Sequence, residues 1–134
     1  MYFDEDLLLE LRLNTLDKFV KKFVITEATY THNGNKKQLK FDINKFQKFK
    51  DKIIYIVVDK QPENILELIE GESKEKRGEK LILNGMARDY FQRENLKKGL
   101  TCADNNDLIL ISDLDEIPNL NYVDFKKVKN NMLI

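Results

Sequence analysis

The chain has 134 residues, 42% hydrophobic and 34% charged, an ordinary balance for one soluble globular domain with a single core. Its 23 basic residues are matched by 23 acidic ones, so no net charge draws it to nucleic acid or to an anionic membrane surface. A lone cysteine, Cys102, excludes an internal disulfide framework, and no apolar run approaches the roughly 20 residues that a membrane-spanning helix needs. With no basic-then-apolar leader at its start, the chain reads as cytoplasmic.

Residues 4–16 carry leucines at 7, 8, 9, 11, 13 and 16 around Glu10 and Arg12, the pattern of a short amphipathic helix with acid near its start, where the helix dipole favours it. Its expected role is packing. Next, Phe23, Val24, Ile25 and Thr26 have the β-branched and aromatic enrichment of a first core strand. The polar exit of that strand, residues 26–34, offers several hydroxyls and the Glu27 carboxylate. It suits hydrogen bonding to a base or ribose, and equally suits a polar loop in which Gly34 supplies a positive-φ turn. His32 is the sole histidine and, without a Cys or second His beside it, reads as a loop residue before a metal ligand. Lys36 and Lys37 read as a solvated basic turn before a phosphate contact.

Phe41, Phe46 and Phe49 are interleaved with lysines, and in a neutral chain without a nucleic-acid motif they are expected to pack. Ile53 to Val58 reads as a second buried strand ending at Asp59. A short helix is expected at 64–70, followed by a charge-rich surface loop or frayed helix start at 71–80. From about 81 to 100 the chain reads as a helix, with Leu83, Met86, Ala87 and Tyr90 on one face. Gly85 predicts close packing or a local break there. Asp89 and Arg93 stand at i and i+4, a surface pair on one reading. On the other, a basic residue here reaches a phosphate, with Arg93 the first candidate and Arg88 the second.

Leu108 to Ser112 is an almost wholly apolar run, expected to be a third strand buried on both faces of a parallel sheet. It stops abruptly at Asp113, Asp115 and Glu116, closed by Ile117-Pro118. In open α/β sheets the carboxyl edge of the strands is where ligands bind. Two carboxylates at i and i+2 past a strand can point at one oxygen-liganded cation, and Mg²⁺ or Mn²⁺ typically takes one or two carboxylates plus substrate phosphates. Three uncompensated carboxylates side by side repel one another, so a bound cation explains their company. The bland alternative is an acidic strand exit with nothing bound. A turn and one helix, from about 122 to 130, are expected after it. The order of elements predicts an α/β layered domain with a mainly parallel sheet.

The segment Ile111-Ser112-Asp113-Leu114-Asp115-Glu116-Ile117-Pro118 resembles the Asp-x-Asp signature of glycosyltransferase family 17, the β-1,4-mannosyl-glycoprotein β-1,4-N-acetylglucosaminyltransferase-like enzymes. The stretches from Phe23 to His32 with Gly34, and from Lys52 to Asp59, fit in the same order, as does Leu-Glu-Leu-Arg-Leu-Asn at 9–14. Gln92-Arg93 and Gly99-Leu100 fit loosely, with Glu94-Asn95 departing from the pattern. The resemblance implies a GT-A-like fold, a UDP-sugar donor carrying N-acetylglucosamine, a glycan or glycoconjugate acceptor, and inversion at the transferred sugar. It implies Asp115 as a direct ligand to Mn²⁺ or Mg²⁺, Asp113 as a ligand or ribose contact, and Glu116 as a group that positions the loop. It also moves Thr26 and Glu27 toward nucleotide contact.

Only 18 residues follow Glu116, so the chain is expected to be a donor-binding portion lacking the acceptor part and general base, which a homo-oligomer is one way to complete. Two other classes are weighed. Aspartyl-phosphate phosphatases also place Asp-x-Asp after an apolar strand, with the first Asp as nucleophile, but their further motifs lie downstream. A nucleotide-sugar-binding scaffold without turnover is the non-enzymatic reading.

Overall fold

The computed structural model describes residues 1–128, and its element order is α1 (Asp6–Leu16), β1 (Phe23–Ala28), β2 (Ile53–Val58) and α2 (Lys74–Asn95), with short 3₁₀ turns between and after them. β1 and β2 pair in parallel, with Phe23 opposite Ile53, Ile25 opposite Tyr55 and Ala28 opposite Val58, so both strands end at the same edge. The domain is α/β, as the order of elements predicts.

Alternation along β1 assigns its two faces. Phe23 and Ile25 join Leu9, Leu13 and Leu16 of α1 and the aromatic residues Phe46 and Phe49 in the main core. Phe41 lies against that core, stacked on Phe46 and Tyr55 with ring centroids 5.6 and 4.5 Å apart. These phenylalanines pack, as expected. On the opposite face Val24 meets Gly99 and Ala28 meets the Val58 and Phe91 cluster. A Cβ on Gly99 would lie 2.8 Å from Val24 Cγ2, so only glycine lets the 96–102 turn approach the strand this closely. Covered on both faces, β1 is buried at five of its six positions.

α2 starts at Ser73, whose Oγ accepts from Lys76 N at 3.3 Å, with Glu75 in the first turn and Arg93 in the last, each favourable to the helix dipole. Several expectations are corrected here. The charge-rich stretch 74–80 forms the first two turns of this helix, and the helix runs through Gly85 without a break. Residues 64–70 are not helical. The face expected to pack, Leu83, Met86 and Tyr90, is exposed, and the buried stripe of α2 is Asn84, Arg88, Gln92 and Asn95. Those polar side chains are buried because each finds a partner in an irregular segment or the backbone. Asn84 pairs both ways with Leu66, Arg88 with Gln61 and the His32 carbonyl, Gln92 with the Thr26 carbonyl, and Asn95 with the Phe91 carbonyl.

The third strand is also corrected. Residues 108–112 make no ladder, and Leu108, Ile109, Leu110 and Ile111 are exposed. On β1 the Thr26 carbonyl accepts from Tyr2 N at 3.0 Å and from Gln92 Nε2 at 3.1 Å, in place of a third strand. Past the acidic loop the chain makes two 3₁₀ turns, Leu120–Tyr122 and Phe125–Lys127, in place of the expected helix, whose last residues, 129–130, lie outside the described part.

Candidate functional site

Residues 112–116 form a tight acidic loop whose conformation is fixed from within and from two helices. Within it, Glu116 N donates to the Asp113 carbonyl at 3.2 Å, Ile117 N to the Asp115 carbonyl at 3.1 Å, and Asp113 N to Glu116 Oε2 at 3.0 Å. The Glu116 side chain is thus bonded to the loop backbone.

From α2, Arg93 spans two carboxylates. Its Nη2 lies 2.8 Å from Asp113 Oδ1 and 3.1 Å from Oδ2, while its Nε donates to Asp89 Oδ2 at 3.0 Å. The i,i+4 pair with Asp89 is present, and the same guanidinium is held by Asp113 of the acidic loop. Hydrogen bonding to Asp113, then to Asp89, raises the Arg93 pKa above its ordinary value. Arg88, the second candidate, is buried one turn earlier and spends its donors on Gln61 and His32.

From α1, Arg12 reaches the loop on its other side. It donates to the carbonyls of Asp113 at 2.7 Å and Glu116 at 2.8 Å, to that of Leu114 at 3.4 Å, and to Ser112 Oγ at 2.5 Å. Burial lowers its pKa, while Glu116, Asp113 and Asp115 act in the opposite direction. Sequence reasoning missed this residue. The available signal was a single basic side chain on a leucine-rich helix, which says nothing of what it faces.

These contacts correct one premise. The three carboxylates are not all uncompensated, because Arg93 pairs with Asp113, while Arg12 lies against the loop carbonyls. Asp115 and Glu116 are both exposed, and the Asp115 carboxylate has no hydrogen bond or ion pair among the described residues. No group of three His, Cys, Asp or Glu side chains is arranged to hold a metal among the described residues. The donor set is thus one free carboxylate beside one held by arginine, which fits a hard cation that keeps waters and substrate phosphates and does not fit an all-protein cage.

Thr26 and Glu27 are placed elsewhere. Glu27 is fully buried, and its carboxylate is saturated: Lys37 Nζ and Lys40 N donate to Oε1, Tyr55 OH to Oε2 at 2.8 Å, and Phe41 N to Oε2 at 3.1 Å. Burial pushes its pKa up, but these four donors outweigh burial and hold it below the ordinary glutamate value. Glu27 therefore pins residues 37–41 to β1 and leaves no oxygen for a nucleotide. Lys37, expected in solvent, is its partner. Thr26 is also fully buried, and its hydroxyl, with those of Tyr30 and Thr31, has no protein partner. An open recess of about 420 Å³ lies beside this exit, lined by His32, Asn33, Leu81, Gly85, Met86 and Asp89.

The family model described as glycosyltransferase family 17 matches residues 1–132, nearly the whole chain. The chain belongs to glycosyltransferase family 17. No curated protein and no solved structure matches it. Membership in family 17 implies a sugar donor and an acceptor. Among the described residues no helix is long and apolar enough to cross a membrane.

Proposed function

We propose that this family 17 domain binds the diphosphate of a UDP-sugar at the 112–116 loop, with Asp115 and Asp113 holding Mn²⁺ or Mg²⁺, and passes N-acetylglucosamine to a glycan or glycoconjugate hydroxyl with inversion. The observation that carries the reading is the disposition of Asp115, an exposed carboxylate without a partner among the described residues, in a loop that two arginines hold in place. Asp115 and Asp113 would hold the cation, which would supply positive charge to the departing diphosphate. The chain's own residues orient the site. Arg93 fixes both oxygens of Asp113, and Glu116 ties the loop back to the Asp113 backbone. In the reaction the acceptor oxygen forms a bond to the anomeric carbon as that carbon's bond to the diphosphate breaks, and the acceptor proton leaves to a base.

Calorimetric titration of UDP and UDP-N-acetylglucosamine, with Mn²⁺ and then with chelator, tests this on the wild type and on Asp115→Ala. Binding that requires both the metal and Asp115 is expected, and metal-independent binding, or binding unchanged in Asp115→Ala, refutes the assignment. A product assay with a glycan acceptor then separates transfer from binding without turnover.

A further inference from the structure

Resting on the metal-loop reading above, we infer that Arg12 is the positioning residue of the acidic loop, the group that turns its carbonyls inward so that its carboxylates face out. Three of its contacts are carbonyl oxygens and the fourth is a hydroxyl, all drawn from the consecutive residues 112–116. A planar guanidinium can span acceptors that far apart in one geometry, whereas a lysine ammonium is a point donor that satisfies one end. α1 and the loop share a rigid base for this contact: Leu9, Leu13 and Leu16 sit in the same cluster as Leu120, with Leu114 and Ile117 packed against it.

None of the four acceptors is a carboxylate, and Arg12 forms no ion pair among the described residues. Its charge is therefore set behind the loop, leaving the Asp115 carboxylate available. Without Arg12 the inward carbonyls lose their shared donor.

The test compares wild type with Arg12→Lys and Arg12→Ala in three measurements. Hydrogen exchange of residues 107–118 is followed in metal-free protein, Mn²⁺ binding in the presence of UDP is read by electron paramagnetic resonance, and thermal melting reports the fold. Expected in Arg12→Lys is a melt within a few degrees of wild type, exchange in 112–117 accelerated at least tenfold with that of β1 unchanged, and Mn²⁺ binding weakened about tenfold. In Arg12→Ala, added guanidinium ion at millimolar concentration is expected to restore part of the loop's protection. Loop exchange unchanged in Arg12→Lys overturns the inference, as does acceleration spread evenly over the chain. If the wild type binds no Mn²⁺ with UDP while the loop still depends on Arg12, the proposed function fails and the positioning role stands. The metal-free exchange measurement keeps the two apart.

Discussion

Replacing Glu27 with glutamine distinguishes a nucleotide contact from a structural anchor. In the native protein Oε1 accepts from Lys37 and from Lys40 N, and Oε2 from Tyr55 OH and Phe41 N, so each oxygen serves one backbone N–H. Glutamine keeps one acceptor oxygen and turns the other into an NH₂, which faces a donor whichever way the amide is placed. One backbone N–H, at Lys40 or Phe41, is therefore left buried without a partner, at a cost of about 1–3 kcal/mol. Lys37, whose side chain is 11% exposed, also loses its counter-charge. Breaking a buried pair on one side costs about 3–5 kcal/mol, and the slight exposure of Lys37 lets it relax toward water, so the low end of that range, about 3 kcal/mol, is expected. Against a typical domain stability of about 5–15 kcal/mol, this is a large fraction. Urea unfolding followed by circular dichroism reads it directly. A loss under about 1 kcal/mol refutes the anchor, and a loss of UDP affinity at unchanged stability returns Glu27 to the nucleotide site.

The same carboxylate sets the acid limb of stability. Its folded pKa is depressed, so its contribution is fully present above the ordinary glutamate pKa of about 4.3 and is lost as pH falls through the lower folded value. Glu27→Gln is expected to flatten that part of the pH profile, checked by urea midpoints between about pH 2 and 6. Gly99→Ala forces a Cβ against Val24 and is expected to cost about 1–3 kcal/mol by overpacking, measured by thermal melting, with recovery in the double variant Gly99→Ala, Val24→Ala. Ile109 is 50% exposed and outside any ladder, so Ile109→Ala is expected to change stability by less than about 0.5 kcal/mol, whereas a strand buried on both faces would lose about 2–5 kcal/mol. Chemical denaturation separates these values.

Local pattern by itself determined the parts whose signal lies in adjacent residues. Ile53 to Val58 forms β2 over the expected residues, although only Val58 of it is buried, and Phe23 begins β1, the two runs pairing in parallel. The leucines at 9, 13 and 16 fall at helical spacing and bury one face of α1. Gly34 takes the positive φ expected of it, at 83°. The acidic loop and the nearness of Arg93 were legible too, since an i,i+4 pair fixes where that guanidinium can reach.

Tertiary structure decided what each side chain faces. Glu27 reads as part of a polar strand exit open to a nucleotide because its partners, Lys37, the backbone at 40–41 and Tyr55, come from other segments and are invisible in its neighbourhood along the chain. The apolar residues of α2 read as a core face by periodicity. The buried face is nevertheless the polar one, because Asn84, Arg88 and Gln92 meet backbone and side-chain partners whose bonds offset their desolvation. Leu108 to Ile111 read as a strand by composition, but a strand exists only where an edge pairs with it, and residues 108–112 join no ladder. Arg12 stands about 100 positions from the loop it holds. Only the packing of α1 beside residues 114–120 brings the two together, a long-range contact that helical periodicity does not encode.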